Sequence, residues 1–428
     1  MITRRRVILA GIALAIPAVG RAERPLASED ALSDQGLYLP ELARLRETVR
    51  TSPEQRQILA QFLAIVGDET GALREWMAQR PANAPLAPPD TTDYGPYTAE
   101  PALETIIAAA RGRRLVILNE AHHASRCRAF AARVLTRLRA EGFDLLAAEA
   151  FTNDPTTRFA ERMADGAPVT TDLAYYPRDP VYAELIRQAR ADGYRLACYE
   201  MTPVQSPPDD VDGPTRIAVR EAAEAANLAA LLKDNPDARM VVYCGHGHLA
   251  EKAIGPNTVM ATRLKAATGI DPLTIDQSLG LPSPAGVFES PTVTAVLSHF
   301  KPVEPIIVRA PDGGSLAFRT FRDAVDLTVF HPRLGDTADG RPAWLDGDGR
   351  QRTVFALRRP APAGALLQAV PLAEALAAPN VVPADQYMAR PGAKEAVFFL
   401  RPGRYEIRME TDVGRQVLGR SSTGSGPA

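Results

Sequence analysis

The chain has 428 residues, 46% of them hydrophobic and 23% charged, the balance of a folded protein with two or three domains. Its net charge of −2 supplies no global field for nucleic acid or an anionic membrane, so neither is expected as a partner. Cys127, Cys198 and Cys244 are odd in number and show no CxxC spacing, so at least one stays unpaired and a packed core must hold the fold.

Residues 1–22 read as an export signal, "MITRRRVILAGIALAIPAVGRA". A basic start is followed by an apolar run from Val7 to Gly20, too short to span a bilayer at ~20 residues and interrupted by Pro17. Arg4 and Arg5 in "TRRRVIL" make the signal twin-arginine-like, which predicts cleavage near Ala22 and a periplasmic protein with no stable membrane anchor afterwards.

Residues 23–90 carry apolar positions at helical spacing and end in a Pro-rich linker, "PANAPLAPPD". Residues 91–290 alternate short apolar strands with amphipathic helices. The strands are "RLVILNE", "DLLAAEA", "YRLACYE", "ARMVVYCGHGH" and "DPLTIDQ". This pattern predicts an α/β domain, a mainly parallel sheet flanked by helices on both faces. Residues 291–415, with "TVTAVLSH", "EPIIVRA", "SLAFRTF", "DLTVFHP", "RTVFAL", "AVFFLRPG" and "RYEIRME", read as a C-terminal β-rich module. Residues 416–428 read as a disordered tail.

The five α/β strands share a feature at their C-terminal ends. The first exits into Glu120, His122 and His123, the second into Glu149, the third into Glu200, the fourth into His246 and His248, and the fifth into Asp276. Ligands of open parallel sheets bind outside those ends. One acid at a strand exit commonly caps the next helix, but five in succession predict a polar crevice, and four of the six histidines of the chain fall in it. Carboxylates and imidazoles together can hold a divalent cation or activate water as general bases. No HExxH helix, GxSxG elbow or Gly-rich phosphate loop is present, so zincin, serine-hydrolase and nucleotide-binding chemistry are not indicated.

Two GxxH-like motifs at strand ends, with a glutamate after the intervening strand, resemble the superfamily that joins erythromycin esterase-like proteins, ChaN-like haem-binding proteins and TIKI-type metalloproteases. "GHGH" (Gly245–His248) is intact; in "NEAH" (Asn119–His122) Asn119 stands where the family has glycine. Glu120 matches the glutamate of the "GE" motif and Glu149 the second-strand glutamate, and the Arg220-Glu221 helix resembles the arginine-bearing helix before the second motif. The resemblance implies a hydrolase for an ester or amide bond, acting on a small molecule or peptide, with Glu120, His122, His123, Glu149 and His248 as catalytic candidates. The esterase branch selects His123 and the GxxH pattern selects His122, and both stand at this point. Arg128, Glu200, Arg220 and His246 are substrate-binding candidates, although both arginines could instead pair with the acids. A divalent metal on His122, His248 and Glu149 is one implied cofactor. Haem is the alternative, in a binding protein without turnover.

Overall fold

A computed structural model describes residues 28–79, 87–254, 258–283 and 289–424. The signal segment lies outside the described residues. Four helices come first: α1 (Ser28–Gln35), α2 (Leu39–Thr51), α3 (Arg56–Ile65) and α4 (Glu69–Met77). They enclose their own apolar core, built on Leu42, Leu45, Phe62, Leu63 and Ile65.

The central sheet follows, with β1 (Thr98–Pro101), α5 (Ala102–Ala110), β2 (Leu115–Glu120), α6 (Ser125–Ala140), β3 (Leu145–Ala148), the short α7 (Phe159–Arg162) and α8 (Pro180–Ala191). It continues through β4 (Arg195–Cys198), α9 (Gly213–Asp234), β5 (Met240–Gly245), α10 (Met260–Thr268) and β6 (Leu273–Asp276). Then come α11 (Pro291–Phe300), β7 (Ile306–Arg309) and β8 (Leu327–Phe330). The eight strands run in the order β1-β7-β8-β6-β2-β5-β3-β4. From β8 to β4 every pairing is parallel, whereas β7 and β1 are antiparallel. The predicted α/β architecture is what the chain adopts.

Side chains of β2 alternate between two covered faces, which explains its unbroken apolar run. Val116 and Leu118 face α5, α6 and α8 through Ile106, Phe130, Val134 and Ile186. Leu115 and Ile117 face α9 and α10 through Leu228, Leu232, Met260 and Leu264. A strand covered on both faces has no polar side to show until it leaves the sheet. β5 arrives from beyond β3 to lie beside β2, and the chain then crosses to β6 on the other side of β2. The crevice at the carboxyl ends of β2 and β5 is where such sheets hold ligands.

The β-rich module predicted from residue 291 begins only at residue 351, and the stretch before it departs from the expectation. "TVTAVLSH" lies in helix α11, because Val293, Val296 and Leu297 recur at helical spacing and pack against Ile306 and Phe330. β7 and β8 extend the central sheet, and "SLAFRTF" forms no strand, only a short turn of 3-10 helix at Arg319–Phe321. The β-rich part is β9 (Gln351–Ala356), β10 (Leu366–Pro371), helix α12 (Leu372–Ala377), β11 (Asp385–Met388), β12 (Glu395–Leu400), β13 (Gly403–Thr411) and β14 (Gly414–Thr423). It forms a four-stranded sheet, β11-β10-β13-β14, and a β12-β9 ribbon. Most of the predicted tail is therefore strand: polar composition suggested disorder, but β13 supplies hydrogen-bond partners along the whole of β14.

The N-terminal helices are fastened to this C-terminal sheet. The Glu410 carboxylate accepts from the backbone N–H groups of Tyr38 and Leu39 at 3.0 and 2.7 Å, and Gln386 Nε2 donates to Ile65 O. That docking carries α4 back over the central sheet, where Glu69 receives Arg126 Nε at 2.9 Å.

Candidate active site

Glu120 is the last residue of β2 and is buried. Its carboxylate accepts two hydrogen bonds from Arg128, Nε at 2.9 Å and Nη2 at 2.8 Å, and one from the Tyr243 hydroxyl at 2.7 Å. Oε1 also lies 2.8 Å from His122 Nδ1. Arg128 stands on the first turns of α6, pairs with Asp179 at the start of α8, and is only 1% exposed. A buried guanidinium with this many acceptors is a strut for Glu120, not a free hand for a substrate anion, so its predicted substrate-binding role gives way to the pairing role. Tyr176 stacks on the His122 ring at 4.2 Å and fixes its plane.

The second motif is assembled on β5. Glu120 and Gly245 are register partners, and His246 N–H donates to Glu120 O at 2.8 Å. His246 takes a left-handed backbone, φ 36°, a conformation few non-glycine residues adopt, and this turns the chain out of the strand. At Gly245 a Cβ would fall 2.4 Å from His122 Nε2 and 3.0 Å from Glu149 Oε2, so glycine is what lets the imidazole approach the strand. Glu149 follows β3 and accepts from Gly245 N–H.

The two imidazoles meet at this glutamate. His122 Nε2 lies 4.0 Å and His248 Nε2 3.9 Å from the same oxygen, Glu149 Oε1. His248 Nδ1 is 2.9 Å from Glu221 Oε1 on α9, much as His122 Nδ1 is 2.8 Å from Glu120 Oε1. Each ring is thus held at Nδ1 by its own carboxylate and turns Nε2 toward a third. Arg220, one residue before Glu221, donates to Glu149 Oε1 at 2.8 Å, pairs with Glu200, and reaches Glu224 Oε1 at 2.9 Å. Its Nη1 sits 3.3 Å from His248 Nε2.

The neighbours divide the charges. Burial raises the pKa of Glu149, but His248, His122 and Arg220 outweigh it and hold the carboxyl at about 2, ionised. Burial also acts against Glu120 as an anion, and Arg128 more than offsets it, keeping that carboxyl well below the usual range. Burial opposes charge on His248, yet Glu149, Glu221 and Glu224 raise its pKa to about 9. Burial of Glu224, with Glu200 and Glu149 nearby, outweighs His248 and Arg220 and pushes its carboxyl up to about 8.

The remaining histidines of the motifs face elsewhere. His123 stacks on Trp76 of α4, ring centres 4.1 Å apart, and His246 lies 5.4 Å from the same indole. Burial lowers their pKa values to about 3 and about 4, so both are neutral. His122 is therefore the histidine of the first motif that enters the crevice with Glu149. Asp276 does not join it: its carboxylate accepts from Asn119 Nδ2 at 2.7 Å and from Ser278, supporting the strand exit from below. Asn119 also donates to His246 O and accepts from Gln277 N–H. Glu200 takes part only through Arg220.

No family model and no curated protein matches the chain. Among solved structures it is similar to the type III effector HopBA1, with 17% identity over 47% of this chain and 89% of that one, at a TM-score of 0.31. It is also similar to RRSP, a MARTX toxin effector domain from Vibrio vulnificus, with 17% identity over 40% of this chain and 35% of that one, TM-score 0.31. A third is the C-terminal region of Pasteurella multocida toxin, which has a thiol-protease-like catalytic triad; identity is 16% over 41% of this chain and 24% of that one, TM-score 0.32. The chain spans well under half of the second and third of these proteins.

Glu221, Glu224 and His248 could hold a metal ion, since each offers a ligand atom and these lie within 4.8 Å of one another. Only His248 belongs to the predicted ligand set; Glu221 and Glu224 were hidden because they lie on a helix, not at a strand exit. The signal was the spacing of Arg220, Glu221 and Glu224 on one side of an otherwise alanine-rich helix. Trp76 and Tyr176, which stack on the motif histidines, carried no sequence signal because both come from segments outside the strand exits.

Proposed function

We propose that the chain is an exported hydrolase of the erythromycin esterase-like, ChaN-like and TIKI superfamily, acting on an ester or amide bond in the crevice between β2 and β5. One observation carries this reading: two carboxylate-tethered imidazoles turn their Nε2 atoms to one ionised carboxylate oxygen, Glu149 Oε1. With Nδ1 held against Glu120 Oε1, His122 turns Nε2 into the crevice, the atom that would take a proton as general base. His248, its pKa at about 9, carries a proton at neutral pH and is the matching acid.

In this mechanism His122 Nε2 takes a proton from water as its oxygen attacks the carbonyl carbon. The tetrahedral adduct collapses, the bond to the leaving oxygen or nitrogen breaks, and His248 Nε2 protonates that atom. The acid and the alcohol or amine leave, and the proton on His122 returns to His248 by way of Glu149 or solvent. Arg220 stands beside His248 Nε2 and Glu149, where a developing oxyanion would meet a fixed cation.

Thiol chemistry has no candidate here. Burial pushes the Cys127 and Cys198 thiols up to about 12 and raises Cys244 further, so none is a thiolate at neutral pH. A divalent cation fits the donor chemistry of Glu221, Glu224 and His248, and the Glu224 oxygens and His248 Nδ1 are buried without a well-formed hydrogen bond. Such an ion would act as a Lewis acid toward a carbonyl or bound water. Haem does not fit. Glu149, Glu200 and Glu221 crowd the histidines that would be its axial ligands, and they would repel its propionates.

The test is hydrolysis of an ester, lactone and peptide panel by protein purified without affinity nickel, with metal content measured and EDTA added in parallel. Turnover lost in His122→Ala and His248→Ala supports the reading. A stoichiometric Soret band with no turnover would overturn it.

A further inference from the structure

Beside the crevice, on the far side of His123, lies a cavity of about 230 Å³. α4 forms one wall with Leu73, Trp76 and Met77; the segment after β6 forms the other with Leu279, Leu281 and Pro282. The charged side chains on its described wall are already paired: Arg126 with Glu69 at 2.7 Å, and Glu289 with Arg333. Aromatic rings connect this space to the chemistry. Trp76 stacks on His123 with 14° between planes and lies parallel to His246, and His246 packs edge-on against His122 at 4.9 Å. His123 is 7% exposed and its Nδ1 has no hydrogen-bond partner.

We propose that this cavity is the subsite for an uncharged apolar group of the substrate, an aromatic ring above all, and that Trp76 and His123 select it. The proposal rests on the hydrolase reading and names the substrate class. An apolar hole of about 150 Å³ accepts benzene, and whole ligands occupy roughly 300–1,000 Å³. The space is therefore matched to one ring of a larger substrate whose scissile bond lies at His122. The indole face offers that ring an offset stack, worth about 0.5–1.5 kcal/mol beyond its burial. An anionic group finds no free cation among the described residues of the wall, and Glu69 and Glu289 oppose it.

The test compares ethyl acetate with ethyl phenylacetate and benzyl acetate as substrates. The wild type prefers the phenyl esters, and Trp76→Ala lowers that preference by about ten-fold or more, the worth of a lost apolar contact. Leu73→Trp, which fills the same space, produces the same fall and serves where Trp76→Ala does not fold. Binding is read separately. Trp76 and Trp344 are the two tryptophans of the chain, so in Trp344→Phe the emission reports Trp76 alone, and it shifts saturably as 2-phenylethanol is added. Saturation without turnover of any ester or peptide would remove the hydrolase reading and leave the subsite standing. Turnover with no phenyl preference and no response of Trp76 overturns the subsite.

Discussion

Each of the two histidine motifs sends its imidazoles to opposite regions of the crevice, and the regions offer them different partners. On one side His122 and His248 have carboxylates within 2.8 and 2.9 Å of Nδ1. On the other, His123 and His246 lie against the Trp76 indole and are neutral. All four are largely withdrawn from solvent, so burial alone does not separate them. What separates them is whether a glutamate reaches the ring. The contrast between a charged His248 and neutral His123 and His246 is a property of their neighbours.

The largest effect comes from removing what holds the first of those glutamates. Arg128→Met strands Glu120 and Asp179 as buried anions, and breaking a buried ion pair in this way costs about 3–5 kcal/mol. Chemical denaturation is expected to show a loss of that size. A change under ~1 kcal/mol, the worth of an exposed pair, would mean that the strut is not what fixes His122.

Next comes the contrast between adjacent histidines. His122→Ala is expected to lower turnover by ~100-fold or more, the share of a general base, whereas His123→Ala changes chiefly KM for ring-bearing substrates. The reverse pattern in kcat would assign the chemistry to the Trp76 side and break the comparison. A smaller but geometrically sharper effect is expected at Gly245→Ala. The added methyl would sit 2.4 Å from His122 Nε2 and must push the ring aside, and misplacement by ~1 Å is worth up to about 100-fold in rate. The melting temperature should move little, because the neighbour that yields is a side chain at a cleft. Unchanged kcat would show that the close approach of His122 to β5 has no role in turnover.

How much of this was legible follows from where the signals lay. Parallel strands announce themselves as apolar runs such as "LVIL", and the residue at each exit is read directly, so Glu120, Glu149 and His248 could be placed in one crevice. Strand exits say nothing about which way a side chain turns, so Asp276 read like Glu149 although it faces Asn119. The choice between His122 and His123 needed the Gly245 gap and the Trp76 stack, which come from segments about 120 residues downstream and 50 residues upstream. Glu221 and Glu224 were obscured by an amphipathic helix pattern in which charged residues ordinarily face solvent. β7 and β8 were misplaced because short strands carry no mark of the sheet they will join.

The smallest effect is a pH dependence, and it is the direct measure of the two-sided crevice. His123 and His246 have folded pKa values of about 3 and about 4, below the usual 6.5, so between those values the unfolded chain binds protons that the folded one refuses. Their contribution to stability therefore falls as pH drops below 6.5. His248 has the opposite sign. Its folded pKa of about 9 lies above 6.5, so the stability from its proton is fully present below pH 6.5 and is lost as pH rises through about 9. Glu224, raised to about 8, likewise weakens the fold as pH rises from 4.5 through that value, so the summed curve mixes several groups and single variants must separate them. The stability difference between wild type and His248→Gln should shrink from pH 6.5 to pH 9, and that between wild type and His123→Asn should change only below 6.5. Imidazole nitrogen shifts give the same division without mutation: His248 doubly protonated up to about pH 9, His123 and His246 neutral down to about pH 4. If all of these rings titrate together near 6.5, the carboxylates do not hold His248 charged, and the assignment of acid and base falls with them.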